Sequence, residues 1–264
     1  MQTLLKFVKM HALGNDFVII DRLTQAFFID HNTVKALGHR KTGIGFDQLL
    51  ILEPPIDPQH DFSYQIYNSN GSQAKQCING VRCLAHYVND YALTQKRLLS
   101  FQTSNQTVSC EILSPIVVKT TISLENPEIK YIDSFSLLTS TCDHVLIGNE
   151  HLICWNFNKD EKNKALSELK SSGFTLDKFN ISFAQQLQTS VELETFERGV
   201  GRSASCGSAA LATFLAFNAK IKSTNSLRIE TQFGYVTATK NYDKISLAGP
   251  VNRTFAGEFL LKYN

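Results

Sequence analysis

The sequence predicts a mixed α/β (α+β) protein of two domains built to a similar plan. Three observations carry this expectation. Short runs of alternating apolar and polar residues, the period of half-buried strands, recur in both halves of the 264-residue chain. Two helical patterns follow turns that end on cysteines, Cys77 and Cys206, which lie 129 positions apart, close to half the chain length. No low-complexity linker separates the halves, and the length itself suits two domains.

Taken in order, Leu4–Met10 and Phe17–Asp21 read as strands around a loop at His11–Asp16, and residues 31–40 as a short helix ending near Gly43. Gln48–Leu52 and Phe62–Tyr67 read as strands joined by a turn-rich loop holding Pro54, Pro55 and Pro58. Asn68–Ser72 is a turn. Val81, Leu84, Ala85, Val88 and Tyr91 then recur at helical spacing, giving a helix over about 78–92. Strands follow over Leu98–Leu124. The plan then repeats: strand-like runs at 142–157, a Lys/Glu/Ala/Leu-rich helix at 160–172 closed by Gly173, a strand at Val191–Phe196, an apolar helix at 207–219, and two hairpin strands at 227–239 and 244–248.

The chain is 43% hydrophobic with a net charge of +2, which points to neither a nucleic-acid nor a membrane-surface partner. No run of about 18 apolar residues is present, and the apolar stretch in Met1–Lys9 is broken by Lys6, so a cytoplasmic location is expected. In that compartment the six cysteines are expected as reduced thiols. Cys83, Cys110, Cys142 and Cys154 read as small buried hydrophobes. Cys142, His144, His151 and Cys154 supply zinc-type ligands, but without the paired spacings of a structural site, so no metal is expected.

Cys77 and Cys206 differ in placement. A thiol at a helix start feels the positive end of the helix dipole, which lowers its pKa from about 8.5. The unpaired N–H groups of the first turn form a small anion site beside it. Two such ends facing each other would hold one carboxylate with their amides. They would also set a sulfur on each face of the adjacent carbon, one removing a proton and the other returning one. Glu197-Arg198 in a Gly-rich loop reads either as a solvated pair or as a binder of ammonium and carboxylate. Gly199 and Gly201 form no phosphate fingerprint. Asn15, Asn68, Asn149 and Asn180, taken singly, read as turn residues.

Together these blocks resemble a known family. Lys9–Phe17, Gly43–Gln48, Asn68–Cys83, Gly148–His151, Asn180–Phe183, Glu197–Ala210 and Gly249-Pro250 are similar, in order, to the signature segments of diaminopimelate epimerases. The resemblance implies two domains, each a mainly antiparallel β-sheet rolled around a central helix. The first would span 1–118, with a strand at 252–264 returning to it, and the second 119–251. It implies a cofactor-independent exchange between LL- and meso-diaminopimelate, with no PLP, in lysine and peptidoglycan precursor synthesis. Cys77 and Cys206 would be the two bases, and the amides of Ile78, Asn79, Gly207 and Ser208 would hold the reacting carboxylate. Asn15, Gln48, Asn68, Asn149, Asn180, Glu197 and Arg198 would bind the rest of the substrate, with His151 in support. A small-molecule amino acid would be the only ligand, and the protein a homodimer with Phe255 near the contact.

The sequence departs from the family pattern at Ile78 and Ala209, where glycine is usual, and at Glu150, Arg202 and Asn70, where Pro, Glu and Asp are usual. A β-branched residue such as Ile78 resists a positive φ. The competing readings are a related racemase acting on proline or hydroxyproline and a non-catalytic or thiol-redox protein on the same fold.

Overall fold

The computed structural model describes residues 2–103, 106–138, 140–221 and 224–262. Residues 104 and 105 of the expected 98–124 strands, and the last two of the expected 252–264 strand, lie outside the described residues. Two compact units emerge, one running to Thr120 and taking in the chain again from Pro250, the other spanning Thr121–Gly249.

In the first unit, β1 (Gln2–Ala12) and β2 (Asn15–Asp21) form a hairpin. Its two turn residues, Leu13 and Gly14, have φ 52° and 87°, the doubly left-handed turn that matches strand twist. Helix α1 (His31–Gly38) connects β2 to β3 (Gln48–Glu53), and Asp30 caps it by accepting from Thr33 N–H. Then follow β4 (Phe62–Asn68), β5 (Gln73–Ala74), α2 (Ile78–Asp90), β6 (Leu98–Gln102) and β7 (Thr107–Ser114), and β8 (Val117–Ser123) runs across the boundary at Thr120. Strand pairing runs antiparallel for β1–β2, parallel for β2–β3, antiparallel for β3–β4, parallel for β4–β6 and antiparallel for β6–β7.

The second unit has the same series. Its strands are β9 (Ile129–Leu137), β10 (Ser140–Ile147) and β11 (Asn149–Trp155). Helix α3 (Lys159–Ser171) leads to β12 (Asn180–Gln186), β13 (Ser190–Glu197) and β14 (Gly201–Ser203). Helix α4 (Gly207–Lys220) precedes β15 (Ser226–Thr231), β16 (Gly234–Asn241) and β17 (Lys244–Pro250). From β10 onward the pairings are again antiparallel, parallel, antiparallel, parallel, antiparallel. Each parallel step carries a helix in its crossover, α1 then α2 in the first unit and α3 then α4 in the second. The first strand of each series also pairs antiparallel with one further strand: β10 with β9, and β1 with β18 (Asn252–Lys262).

Helices α2 and α4 are buried on nearly every side. In α2 ten of the residues between Ile78 and Val88 are buried, and in α4 eight between Gly207 and Ala216. A helix buried all round is enclosed rather than laid on a surface; α2 packs on β1, β2, β3 and β7, and α4 on β9, β10, β11, β12 and β16. A second core lies under α1 and α3, with Val18, Ile20, Val34, Leu49 and Ile51 in the first unit and Leu152, Ala165, Leu169, Ile181 and Phe183 in the second. Among the described residues no helix is long and apolar enough to cross a membrane.

Three expectations need correction. The segment 227–239 is not one strand but two, turning before Gly234, whose φ is 132°. The helix expected over 31–40 stops at Gly38, because His39 is already extended (φ −71°, ψ 119°). Cys142 and Cys154 are not reduced thiols: they are direct partners across the β10–β11 ladder and form a disulfide.

Candidate functional site

Each unit presents a set of polar side chains at matching positions. Asn15 and Asn149 open β2 and β11. Gln48 and Asn180 open β3 and β12. Asn68 and Glu197 close β4 and β13. Cys77 and Cys206 are the N-caps of α2 and α4. The parallel strand pairs place the ends of neighbouring strands side by side, and α2 or α4 starts after the strand that closes the set.

In the first unit, Cys77 is half-buried and extended (φ −147°, ψ 111°), and its sulfur accepts the Gly80 N–H over 3.3 Å. A side chain at Gly80 would press on Leu50 and on Cys77 Cβ at 3.2–3.3 Å. Ile78 and Asn79 form the buried first turn. Ile78 is not among the residues with positive φ, so its branched side chain takes an ordinary helical backbone. Gln48 Nε2 donates to Asn68 Oδ1 over 3.0 Å, and Asn68 Nδ2 donates to Ser72 over 3.0 Å. Asn70 accepts the Ser72 N–H over 2.9 Å, a turn contact that asparagine makes as aspartate would. Asn15 Nδ2 donates to Asp47 over 3.0 Å.

Asp47 sits in a charged cluster with Asp16, Lys9 and Arg40. Arg40 bonds both carboxylates, and Lys9 reaches Asp16 and the Gly45 carbonyl. Burial alone would raise the pKa of Asp16, but the bonds from Arg40 and Lys9 and the Lys9 charge hold it well below the usual range. Burial and the neighbouring Asp16 charge push Asp47 up.

In the second unit, Cys206 is buried and extended (φ −117°, ψ 114°), with its sulfur 3.3 Å from the Ser208 hydroxyl. Gly207 and Ser208 open the helix, and Ala209, buried, fits without strain. His151 lies beside Asn180 across the parallel β11–β12 pair, with Nε2 3.5 Å from Asn180 Nδ2. Asn180 Oδ1 accepts the Arg198 N–H over 2.8 Å, and Arg198 Nη2 donates to Asn149 over 3.1 Å. Glu197 lies opposite Gly201 at the mouth of the same turn. Burial, with a smaller contribution from His144, lowers the His151 pKa to about 3, so the ring is neutral at ordinary pH. Glu150 takes His144 at 2.6 Å, and Arg202 takes Glu194 at 2.8 Å, so both departures from the family pattern have partners of their own.

The structure also sorts the other cysteines. Burial pushes Cys110 up to about 12 and Cys83 further still, so both remain protonated. Cys142 and Cys154 are joined to each other. Among the described residues no group of three or more His, Cys, Asp or Glu side chains is arranged to hold a metal ion. Phe255 stands on β18, half-exposed and edge-on to Phe7 at 5.9 Å. Two side chains went unremarked in the sequence: Asp47, which holds Asn15, and Arg82, which donates to Asn79 Oδ1 over 2.8 Å.

The diaminopimelate epimerase family profile matches residues 7–120 and 144–254. The diaminopimelate epimerase of Acinetobacter baumannii strain AYE is 32% identical over 279 aligned positions, covering 98% of this chain and 99% of its own. Among solved structures, a PhzF-family phenazine biosynthesis protein of Enterococcus faecalis superposes with a TM-score of 0.72 at 11% identity, covering 97% and 99% of the two chains. A hydroxyproline epimerase of Agrobacterium vitis, solved with trans-4-hydroxy-L-proline, superposes with a TM-score of 0.69 at 10% identity, covering 98% and 93%. At such identities these two share the fold.

Proposed function

This chain belongs to the diaminopimelate epimerase family of isomerases, and we propose that it interconverts LL- and meso-diaminopimelate by a two-thiol exchange. The observation that carries this reading is the matched placement of Cys77 and Cys206, each the N-cap of the enclosed helix of its unit. The α-hydrogen of an amino acid is a weak acid, and removing it builds negative charge that spreads into the carboxylate. Helix-start amides, those of Ile78, Asn79, Gly207 and Ser208, would be donors for that charge as it forms. A thiolate takes the hydrogen from one face and the second thiol returns one to the other, so the centre inverts. Thiol pKa values near the operating pH suit both directions. The exchange draws on no cofactor or metal in this scheme.

The remaining polar groups would hold the second amino-acid head of the substrate. Arg198, bonded to Asn149, and Glu197 beside it are the charged pair that such a head group requires. A second reading, a proline or hydroxyproline racemase, draws on the shared fold of the Agrobacterium vitis enzyme. Those substrates carry no second head group, so Arg198 and Glu197 favour the first reading. A homodimer with Phe255 at its contact, and a place in cytoplasmic lysine and cell-wall precursor synthesis, belong to the same proposal.

The test is incubation with LL-diaminopimelate in D₂O under reducing conditions, with and without chelator. Meso product carrying deuterium at the α-carbon supports the proposal. Exchange with proline but not diaminopimelate would replace it with the second reading, and exchange with neither would remove it.

A further inference from the structure

Arg82 is fully buried in α2, yet only its Nη2 has a hydrogen-bond partner among the described residues. That partner is Asn79 Oδ1 at 2.8 Å, and Nε and Nη1 have none. The position is unfavourable twice over. Arginine side chains on a helix lean toward its N-terminus, and this one reaches the first turn, where the helix dipole is already positive. A buried guanidinium with unmet donors also costs stability that an apolar side chain of similar length would not. Burial is the main influence on its ionisation and pushes its pKa down.

The contacts beyond Asn79 show what this placement achieves. Asn79 Nδ2 donates to Asn15 Oδ1 over 3.3 Å, and Asn15 Nδ2 donates to Asp47 Oδ2 over 3.0 Å. At the far end Asp47 also takes Arg40 at 2.7 Å and the Asp16 N–H at 3.1 Å, with Lys9 behind Asp16. A guanidinium can only donate and a carboxylate can only accept. A chain of carboxamides held between the two therefore has one direction. Asn79 must turn its oxygen to Arg82, and Asn15 must turn its NH₂ to Asp47.

We infer that Arg82 is a positioning residue that, with Asp47 at the opposite end, fixes the orientation of the Asn79 and Asn15 carboxamides. The inference rests on the reading that these two asparagines serve the substrate. Its consequence for specificity is that Asn15 keeps an N–H to offer. That N–H pairs with an oxygen acceptor on a ligand, as on a carboxylate, while the Asn15 oxygen already accepts from Asn79.

The experiment uses the full chain labelled with ¹⁵N-asparagine, as wild type, Arg82→Met, Arg82→Lys and Asp47→Asn. Side-chain carboxamide signals are read without substrate, and Asn15→Asp and Asn79→Asp assign them. In Arg82→Met the signals of both Asn79 and Asn15 should move, and KM for LL-diaminopimelate should rise about tenfold or more, with Arg82→Lys restoring most of both. Asp47→Asn removes the acceptor-only end and should move the Asn79 signal although Arg82 is intact, which keeps the test open if Arg82→Met does not fold. An Asn15 signal unmoved in Arg82→Met, or an Asn79 signal unmoved in Asp47→Asn, overturns the inference. A wild-type protein that leaves diaminopimelate unchanged overturns the functional reading instead, because the amide signals are read independently of turnover.

Discussion

The N–H of Gly80 donates to the sulfur of Cys77 over 3.3 Å, so the atom proposed to move the proton also caps its own helix. The two duties can be separated by substitution. A serine hydroxyl caps at least as well as a thiol but is a far weaker base. Cys77→Ser should keep or slightly raise thermal stability while lowering turnover about 10³-fold. Cys77→Ala should lose the turnover and, in addition, about 1 kcal/mol of stability. Isotope exchange and calorimetry on the same preparations check this; near-normal turnover by the serine variant would sink the two-thiol scheme.

His151 makes the second unit acid-sensitive. Burial holds its pKa at about 3 in the folded state, against about 6.5 in an unfolded chain. Below 6.5 the unfolded chain binds a proton that the folded one refuses, so stability is intact above that pH and falls as pH drops toward 3. The slope approaches about 1.4 kcal/mol per pH unit at most. Urea titrations at pH 7, 6, 5 and 4 should show the decline in wild type and a flatter profile in His151→Gln. Parallel profiles would mean that other groups cause the loss.

Asp143 is wholly buried in β10, where it accepts from Tyr131 at 2.9 Å and from the Trp155 indole, and pairs with Lys220 at 2.8 Å. Lys220→Met leaves that carboxylate without its cation and should cost about 2–4 kcal/mol. Adding Asp143→Leu should return part of the loss. Trp155 is the single tryptophan of the chain and packs under the Lys220 ammonium at 5.1 Å, so its fluorescence reports both the local change and the unfolding curve. A Lys220→Met protein as stable as wild type would show that the tyrosine and indole suffice.

The Cys142–Cys154 disulfide closes a short loop, with a sequence separation of 12. Chain entropy then sets its contribution at about 3 kcal/mol. Cys142→Ala/Cys154→Ala should lower the unfolding free energy from urea titration by that amount and leave epimerisation unchanged, since neither residue has a place in the proposed site. Peptide mapping without reductant checks the pairing itself; recovery of both residues as free thiols from non-reduced protein would remove it.

Much of this was legible in the sequence where local physics decides the outcome. The 3.6-residue recurrence of Val81, Leu84, Ala85 and Val88 gave α2, and the two cysteine-ended turns marked the helix starts. Strand β9 escaped because only its end residues, Ile129 and Leu137, are buried, so its polar middle shows no alternation. The Cys142–Cys154 pair depends on the register between β10 and β11, and spacing along the chain does not determine that register. Arg82 looked like an ordinary charged helical residue; its meaning comes from Asn79, Asn15 and Asp47, which converge only once α2, β2 and the segment before β3 are folded.

The pairing of β1 with β18 has a bearing on synthesis at the ribosome. β1 emerges early and finds β2 at once, but its other edge stays open until β18 is made, after the whole second unit. At usual translation rates that wait lasts roughly ten to fifty seconds. Through it the nascent chain carries an eleven-residue strand with an unpaired edge, the kind of surface that recruits another strand. The second unit, whose strand β9 directly precedes β10, has no such delay and can fold first. The unit that begins to emerge first is thus the one whose sheet can close last, and chaperone dependence in the cell should concentrate on it.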